Sequence, residues 1–321
     1  MPSVAVARAD DIPCVSIHPA IDHALSAYVP AVARRAGEVI RAMLADRIAS
    51  ARPDRWTGSR LTGGGFPLEV AFCTSDDRFR FTAEPGAVDL GPHRRLDLAI
   101  ELMSEEPVPG ELVRGLKAMQ SGAALKYGAF LGCRIGGGKP AFKLYVEVPA
   151  SGCADAFDAA RFMPLEGSVA RMIAYAPATQ QVELYVRVLS LEPRSLPAVL
   201  APVGAEAHAP MLLELIEQTY GFAIRGRLPG PSIGVSYVAG PSAPEVTLHF
   251  YARGLWGSDA RIRRGFCGMA RAFDWDAHAY LAVTEPIAKR ESWQSFHGLF
   301  GITLNRSSVN SITIGICPVA P

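Results

Sequence analysis

A single carboxylate and a single guanidinium stand inside two short apolar runs near the start of the chain. Glu69 lies in Leu68-Glu69-Val70-Ala71-Phe72, and Arg80 lies in Phe79-Arg80-Phe81. An unpaired charge is costly to bury, so such positions either neutralise one another or do chemistry. A carboxylate can accept hydrogen bonds or a proton, and a guanidinium can bind an anion. The plain alternative is a cross-strand pair of the kind sheets use routinely. Further along, Lys143 and Tyr145, then Gln181, Glu183 and Tyr185, then His249 and Tyr251, alternate with apolar residues at period two. That is the pattern of a strand with one polar face. Alone, each of these runs also reads as a solvated face or as ordinary tyrosine-containing sheet, and His249 as a structural histidine.

The elements that would position these groups repeat along the chain. Strand pairs are expected over 68–73 and 78–83, 127–135 and 141–148, 169–175 and 181–189, 232–238 and 245–253, and 295–304 and 311–317. Their turns fall at Ser75-Asp76-Asp77, Gly136-Gly137-Gly138, Pro177, Gly240-Pro241-Ser242 and 305–310. Tight turns make each pair antiparallel. Helical spacing predicts segments over 22–29, 31–50, 96–104, 110–121, 154–162, 196–220 in two pieces, 259–273 and 276–289. Helix, strand, strand thus recurs five times without self-similarity between units. Ten antiparallel strands are many for an open sheet, and closure removes both edges. The apolar strand face would pack on the helices. The face carrying Glu69, Arg80, Lys143, Tyr145, Gln181, Glu183, Tyr185, His249 and Tyr251 would line a lumen wide enough for ligands. The expected fold class is α+β, built of α-β-β repeats. It is a ten-stranded closed antiparallel barrel ringed by helices, as one domain over 21–321 after an N-terminal extension over 1–20.

Composition limits the function. The chain has 321 residues, 49 % of them hydrophobic, and a formal net charge of +1. A near-neutral chain has no field that would draw it to nucleic acid or to an anionic membrane. Charged residues interrupt residues 1–11 and the apolar run over 196–215, so neither a leader peptide nor membrane insertion is expected. The six cysteines are scattered, without a metal-ligand spacing. Reduced thiols and a cytoplasmic location are expected, with Cys73, Cys133 and Cys317 as small core residues. The glycine runs Gly63-Gly64-Gly65 and Gly136-Gly137-Gly138 precede no helix, so they read as turns, not phosphate loops. Arg261, Arg263 and Arg264 read as a solvated helix face.

The ordered set of motifs resembles the aromatic prenyltransferases of the ABBA or PT-barrel fold, and within them the dimethylallyltryptophan synthase or indole prenyltransferase branch. Phe66-Pro67-Leu68-Glu69 is similar to the segment that carries that branch's catalytic glutamate. Arg80 stands where its first diphosphate-binding arginine is found. Lys143-Leu144-Tyr145 resembles its K-x-Y on the fourth strand, Tyr185 its tyrosine on the sixth, and His249-Phe250-Tyr251 a polar and aromatic pair on the eighth.

The resemblance implies transfer of a dimethylallyl or longer prenyl group from an allylic diphosphate to an indole- or tryptophan-like acceptor. Glu69 would be the base. Arg80, Lys143, Tyr145, Tyr185, His249 and Tyr251 would bind diphosphate, and Tyr145, Tyr185 and Tyr251 would shield the allyl cation. No cofactor is implied. The chain departs from the pattern at Gln181 and Glu183, where the family usually carries basic residues, and its last hairpin has Phe296, His297, Phe300 and Ile314 in place of tyrosines. Glu183 is therefore a candidate Mg²⁺ ligand. That leaves open a Mg-dependent enzyme acting on phenolic or polyketide acceptors, and a non-catalytic barrel that binds a hydrophobic small molecule.

Overall fold

Strands whose side chains alternate between two apolar and polar sets must bury the apolar set against another layer, and here that layer is helical. The computed structural model of the chain describes residues 16–150, 165–241, 243–288 and 295–321. The helix expected over 154–162, together with Cys14, Cys153, Ser242 and Trp293, lies outside them. Helices Pro19–Ser26 (α1), Pro30–Met43 (α2) and Ala45–Ala49 (α3) come first. Strands Leu68–Cys73 (β1) and Phe79–Ala83 (β2) form the first hairpin. Helices Pro92–Leu102 (α4) and Gly110–Gln120 (α5) lead to Ala129–Ile135 (β3) and Ala141–Glu147 (β4). Val169–Ala176 (β5) and Gln181–Leu189 (β6) follow. Then come Leu196–Leu200 (α6), Ala209–Tyr220 (α7), Ser232–Ala239 (β7) and Glu245–Tyr251 (β8). Ala252–Trp256 (α8), Asp259–Ala270 (α9), His278–Val283 (α10) and Glu285–Ala288 (α11) precede the last pair, His297–Leu304 (β9) and Val309–Ile316 (β10).

The strands pair in chain order, all antiparallel, and β1 closes on β10. The expected closed ten-stranded barrel is the observed one. Register assigns the faces. Leu68, Val70 and Phe72 of β1, Phe79 and Phe81 of β2, and their counterparts Leu131, Leu144, Leu248, Ile302 and Ile314 are buried in one apolar core with the helices. The alternate positions face the lumen: the register pairs Glu69 with Thr82, Arg80 with Arg134, Gly132 with Lys143, Met172 with Tyr185, and Gly234 with His249. All nine polar residues expected on that face are on it. Cys73 is there too, opposite Thr313, and not in the helix-side core as expected. Cys133 is in that core, while Cys317 is only partly buried. The four cysteines of the described residues carry free thiols. Among the described residues, no helix is long and apolar enough to cross a membrane.

Where helices depart from expectation, a buried charge explains one case. The single helix expected over 31–50 breaks at Leu44, and α3 turns Arg47 fully inward. There Arg47 donates to Gly86 O at 3.1 Å, Arg55 O at 2.8 Å and Glu84 Oε1 at 3.0 Å. Glu84 follows β2, and its other oxygen accepts from Ser59 Oγ at 2.8 Å and the Arg60 amide at 3.0 Å. Arg95 of α4 completes the cluster 3.3 Å from Glu84 Oε1. This knot ties the segment before β1 to the helices behind β2. Replacing Glu84 with glutamine removes the one carboxylate serving two buried guanidiniums, so a loss of about 3–5 kcal/mol is expected in urea unfolding. In α9, Arg261 and Arg264 are exposed as expected. Arg263 instead turns to α10, donating to Thr284 Oγ1 at 2.8 Å and Leu281 O at 3.1 Å.

Candidate active site

Glu69 sits on β1 between two outward-facing neighbours, so its side chain must enter the lumen. Its carboxylate rests against the backbone of the last hairpin. A Cβ on Gly315 would come within 2.6 Å of that carboxylate, and one on Gly298 within 2.8 Å. Two glycines thus form the seat for a side chain on the neighbouring strand, next to a bulge between Ile314 and Ile316 of β10. Among the described residues no cation offsets the burial, which pushes the Glu69 carboxyl up to about 7. Glu69 and Arg80 do not form a cross-strand pair: Arg80 donates to Asp76 of the β1–β2 turn, with Nε 3.1 Å from Oδ1, and to Ser75 Oγ at 3.3 Å. Asp76 also takes Arg78. Burial works against its charge, but hydrogen bonds from both arginines prevail and hold it down at about 2.

Across the lumen, Lys143 of β4 ion-pairs with Glu183 of β6. Its ammonium lies 3.5 Å from Tyr185 OH, 5.3 Å from the centre of the Tyr145 ring and 5.8 Å from that of Tyr185. Burial opposes both charges, yet their attraction keeps Lys143 above and Glu183 below the ordinary values. The rings of Tyr145 and Tyr185 are 6.0 Å apart, and Tyr185 and His249 5.7 Å. Gly132 gives Tyr145 room to lean across β3, since a Cβ there would lie 2.9 Å from its ring. His249 Nε2 meets Ser236 Oγ at 3.0 Å. Burial pushes the imidazole down to about 4, so at neutral pH it is an uncharged hydrogen-bonding group.

Glu183 and Tyr251 stand in surroundings that the sequence did not indicate. Glu183, expected as a metal ligand, is engaged by Lys143, and the described residues contain no group of three or more His, Cys, Asp or Glu side chains that could hold a metal. A single carboxylate already neutralised by an ammonium is a poor donor set for Mg²⁺. Tyr251, expected in both the diphosphate site and the cation shield, ends β8 at the barrel rim and is 54 % exposed, beside Leu299 at 43 %. The chain turns there into α8, leaving Tyr145 and Tyr185 as the aromatic wall. His297 faces the helices, where Asp259 holds its Nδ1 at 2.6 Å and Tyr280 OH meets its Nε2 at 3.0 Å. Trp275 packs on Phe72 and Tyr280 in the same layer.

The residue reasoning from sequence missed is Arg134. It enters the lumen directly opposite Arg80. The signal was present, since Arg134 interrupts an apolar run as Arg80 does. The two glycines under Glu69 carried no comparable signal, because their role depends on strand pairing alone.

No protein-family model matches the chain, and no curated protein sequence does. Solved structures match closely in shape. The chain superposes on a 6-dimethylallyl tryptophan synthase with a TM-score of 0.75 at 13 % identity, covering 96 % of this chain and 99 % of that one. A 5-dimethylallyltryptophan synthase from Streptomyces coelicolor gives 0.74 at 16 %, over 94 % and 96 %. The prenyltransferase PriB, in a ternary complex with L-tryptophan and dimethylallyl thiolodiphosphate, gives 0.73 at 16 %, over 94 % and 98 %. The fold of the chain is the ABBA prenyltransferase barrel.

Proposed function

We propose that residues 21–321 act as one aromatic prenyltransferase domain, moving a dimethylallyl or longer prenyl group from an allylic diphosphate to an indole- or tryptophan-like acceptor. One observation carries this reading. In a barrel of this fold, a carboxylate with no ion partner among the described residues, two cations and two tyrosine rings face the same lumen from β1, β2, β4 and β6. The neighbours of known shape include proteins solved with tryptophan and an allylic thiolodiphosphate, which supports this choice of substrates.

The chemistry follows from the groups. The allylic C–O bond breaks and the diphosphate leaves with the electron pair, stabilised by Arg80 and Lys143, with Tyr145, Tyr185 and His249 as further hydrogen-bonding groups. Tyr145 and Tyr185 offer π faces to the allyl cation, and the walls keep water from it. The acceptor ring forms the new C–C bond and its displaced proton passes to Glu69. A carboxylate with a pKa near the working pH suits that task, and an acceptor N–H bonded to Glu69 gains nucleophilicity. No step calls for a metal, so EDTA should leave turnover unchanged; a rate restored only by Mg²⁺ would move the reading to a metal-dependent phenolic or polyketide enzyme.

The neutralisation of Lys143 by Glu183 favours one second reading, a barrel that binds a hydrophobic small molecule without turnover. The test is diphosphate release from dimethylallyl diphosphate with tryptophan and simple indoles. The prenyltransferase reading expects release dependent on the acceptor. Binding of acceptors with no release from C5, C10 or C15 donors, with and without Mg²⁺, would favour the second reading.

A further inference from the structure

Arg80 and Arg134 are direct partners across β2 and β3, and both face the lumen. Opposed residues on antiparallel strands lie about 4.5–5.5 Å apart at Cα, and like charges there repel. Among the described residues, neither arginine has a carboxylate to itself. Asp76 serves Arg80 and Arg78 together, so one carboxylate meets two guanidiniums. Arg134 makes no ion pair among the described residues. Its charge is felt by Lys143, Tyr185 and Glu245, which places it within reach of the chamber's centre. Lys143 is already matched by Glu183. Counting Arg78, Arg80, Arg134 and Lys143 against Asp76, Glu183 and Glu245, this region keeps one positive charge in excess, and the small Ala141 stands opposite Arg134.

We propose that Arg134, paired with Arg80 across β2–β3, is the principal anchor for the anionic diphosphate of the donor. The inference rests on the prenyltransferase reading and makes it more specific. A diphosphate placed between two guanidiniums accepts forked hydrogen bonds from both and removes the repulsion that the empty pair carries. β6, with Gln181 and Glu183 facing the lumen, supplies no cation at its inward positions before Tyr185, so the anion belongs on the β2–β3 side.

Titration calorimetry of the full chain with inorganic diphosphate tests this without any acceptor or turnover. The unmodified protein should bind. Arg134→Gln should weaken binding about tenfold or more, with its melting transition still cooperative. Ala141→Glu, which sets a carboxylate directly opposite Arg134, should weaken it similarly and decides the matter if Arg134→Gln does not fold. Arg261→Gln, on the exposed face of α9, should change nothing. Unaltered affinity in Arg134→Gln, or in Ala141→Glu when that variant decides, would overturn the proposal while leaving the prenyltransferase reading intact. So would an equal loss in Arg261→Gln, which would mark a diffuse charge effect. Failure of the unmodified protein to bind diphosphate would remove both.

Discussion

Replacing Glu69 with glutamine should lower prenyl transfer by about 10²–10⁴-fold and at the same time make the protein more stable at alkaline pH. The two effects share one cause. Glu69 lies against Gly298 and Gly315 without a cation, and burial pushes it from the ordinary 4.5 up to about 7. A carboxyl with a raised folded pKa binds its proton more tightly in the folded chain. Between pH 4.5 and about 7 the folded state therefore holds a proton that the unfolded state has lost. Stability then falls as pH rises through that window, by up to about 3 kcal/mol. The penalty is complete above it and absent below it. Glutamine carries no such penalty, so the variant should gain on the native protein at pH 8 and match it near pH 4 in urea unfolding. Activity runs the other way, because a base must be deprotonated. The acid limb of the native kcat profile should rise through about pH 7 and vanish in the variant. An unchanged rate, or a stability difference that does not vary with pH, would remove Glu69 from the role given to it.

Replacing Lys143 with methionine should cost about 3–5 kcal/mol, because it leaves the Glu183 carboxylate buried without its partner. Adding Glu183→Gln to that variant should recover most of the loss but not the activity. The cycle thus separates what the pair does for folding from what Lys143 does for the leaving group. Glu183→Gln alone is the more informative member. It frees an ammonium that sits 3.5 Å from Tyr185 OH and under two tyrosine rings. Inorganic diphosphate should then bind several-fold more tightly than to the native chain, and should raise the melting temperature more. Equal affinity in the two proteins would show that Lys143 does not touch the leaving group.

Much of this site follows from period-two alternation. Glu69, Arg80, Lys143, Tyr145, Glu183, Tyr185 and His249 each stand opposite in parity to the apolar residues of their own strand. Parity alone places them on one face, and helices spaced between antiparallel pairs put the apolar face outward. Closure follows because an open ten-stranded sheet would leave two unpaired edges. These are local properties, and a sequence states them directly.

Partnership is not local, and it was decided only in three dimensions. Glu69 and Arg80 read as a pair by proximity along the chain, but register sets Glu69 beside Thr82 while Asp76 draws Arg80 towards the turn. Lys143 and Glu183 are 40 positions apart, and neither strand alone shows that one neutralises the other. Glu69 obtains its seat from Gly315 and Gly298, more than two hundred residues downstream, because β10 returns to β1. Tyr251 shares the parity of the chamber but stands at its rim, since height along the barrel depends on strand stagger and not on alternation. Side-chain alternation therefore determined which residues face the lumen. Strand register and closure determined which of them meet, because the cost of an unpaired buried charge depends on neighbours supplied by distant strands.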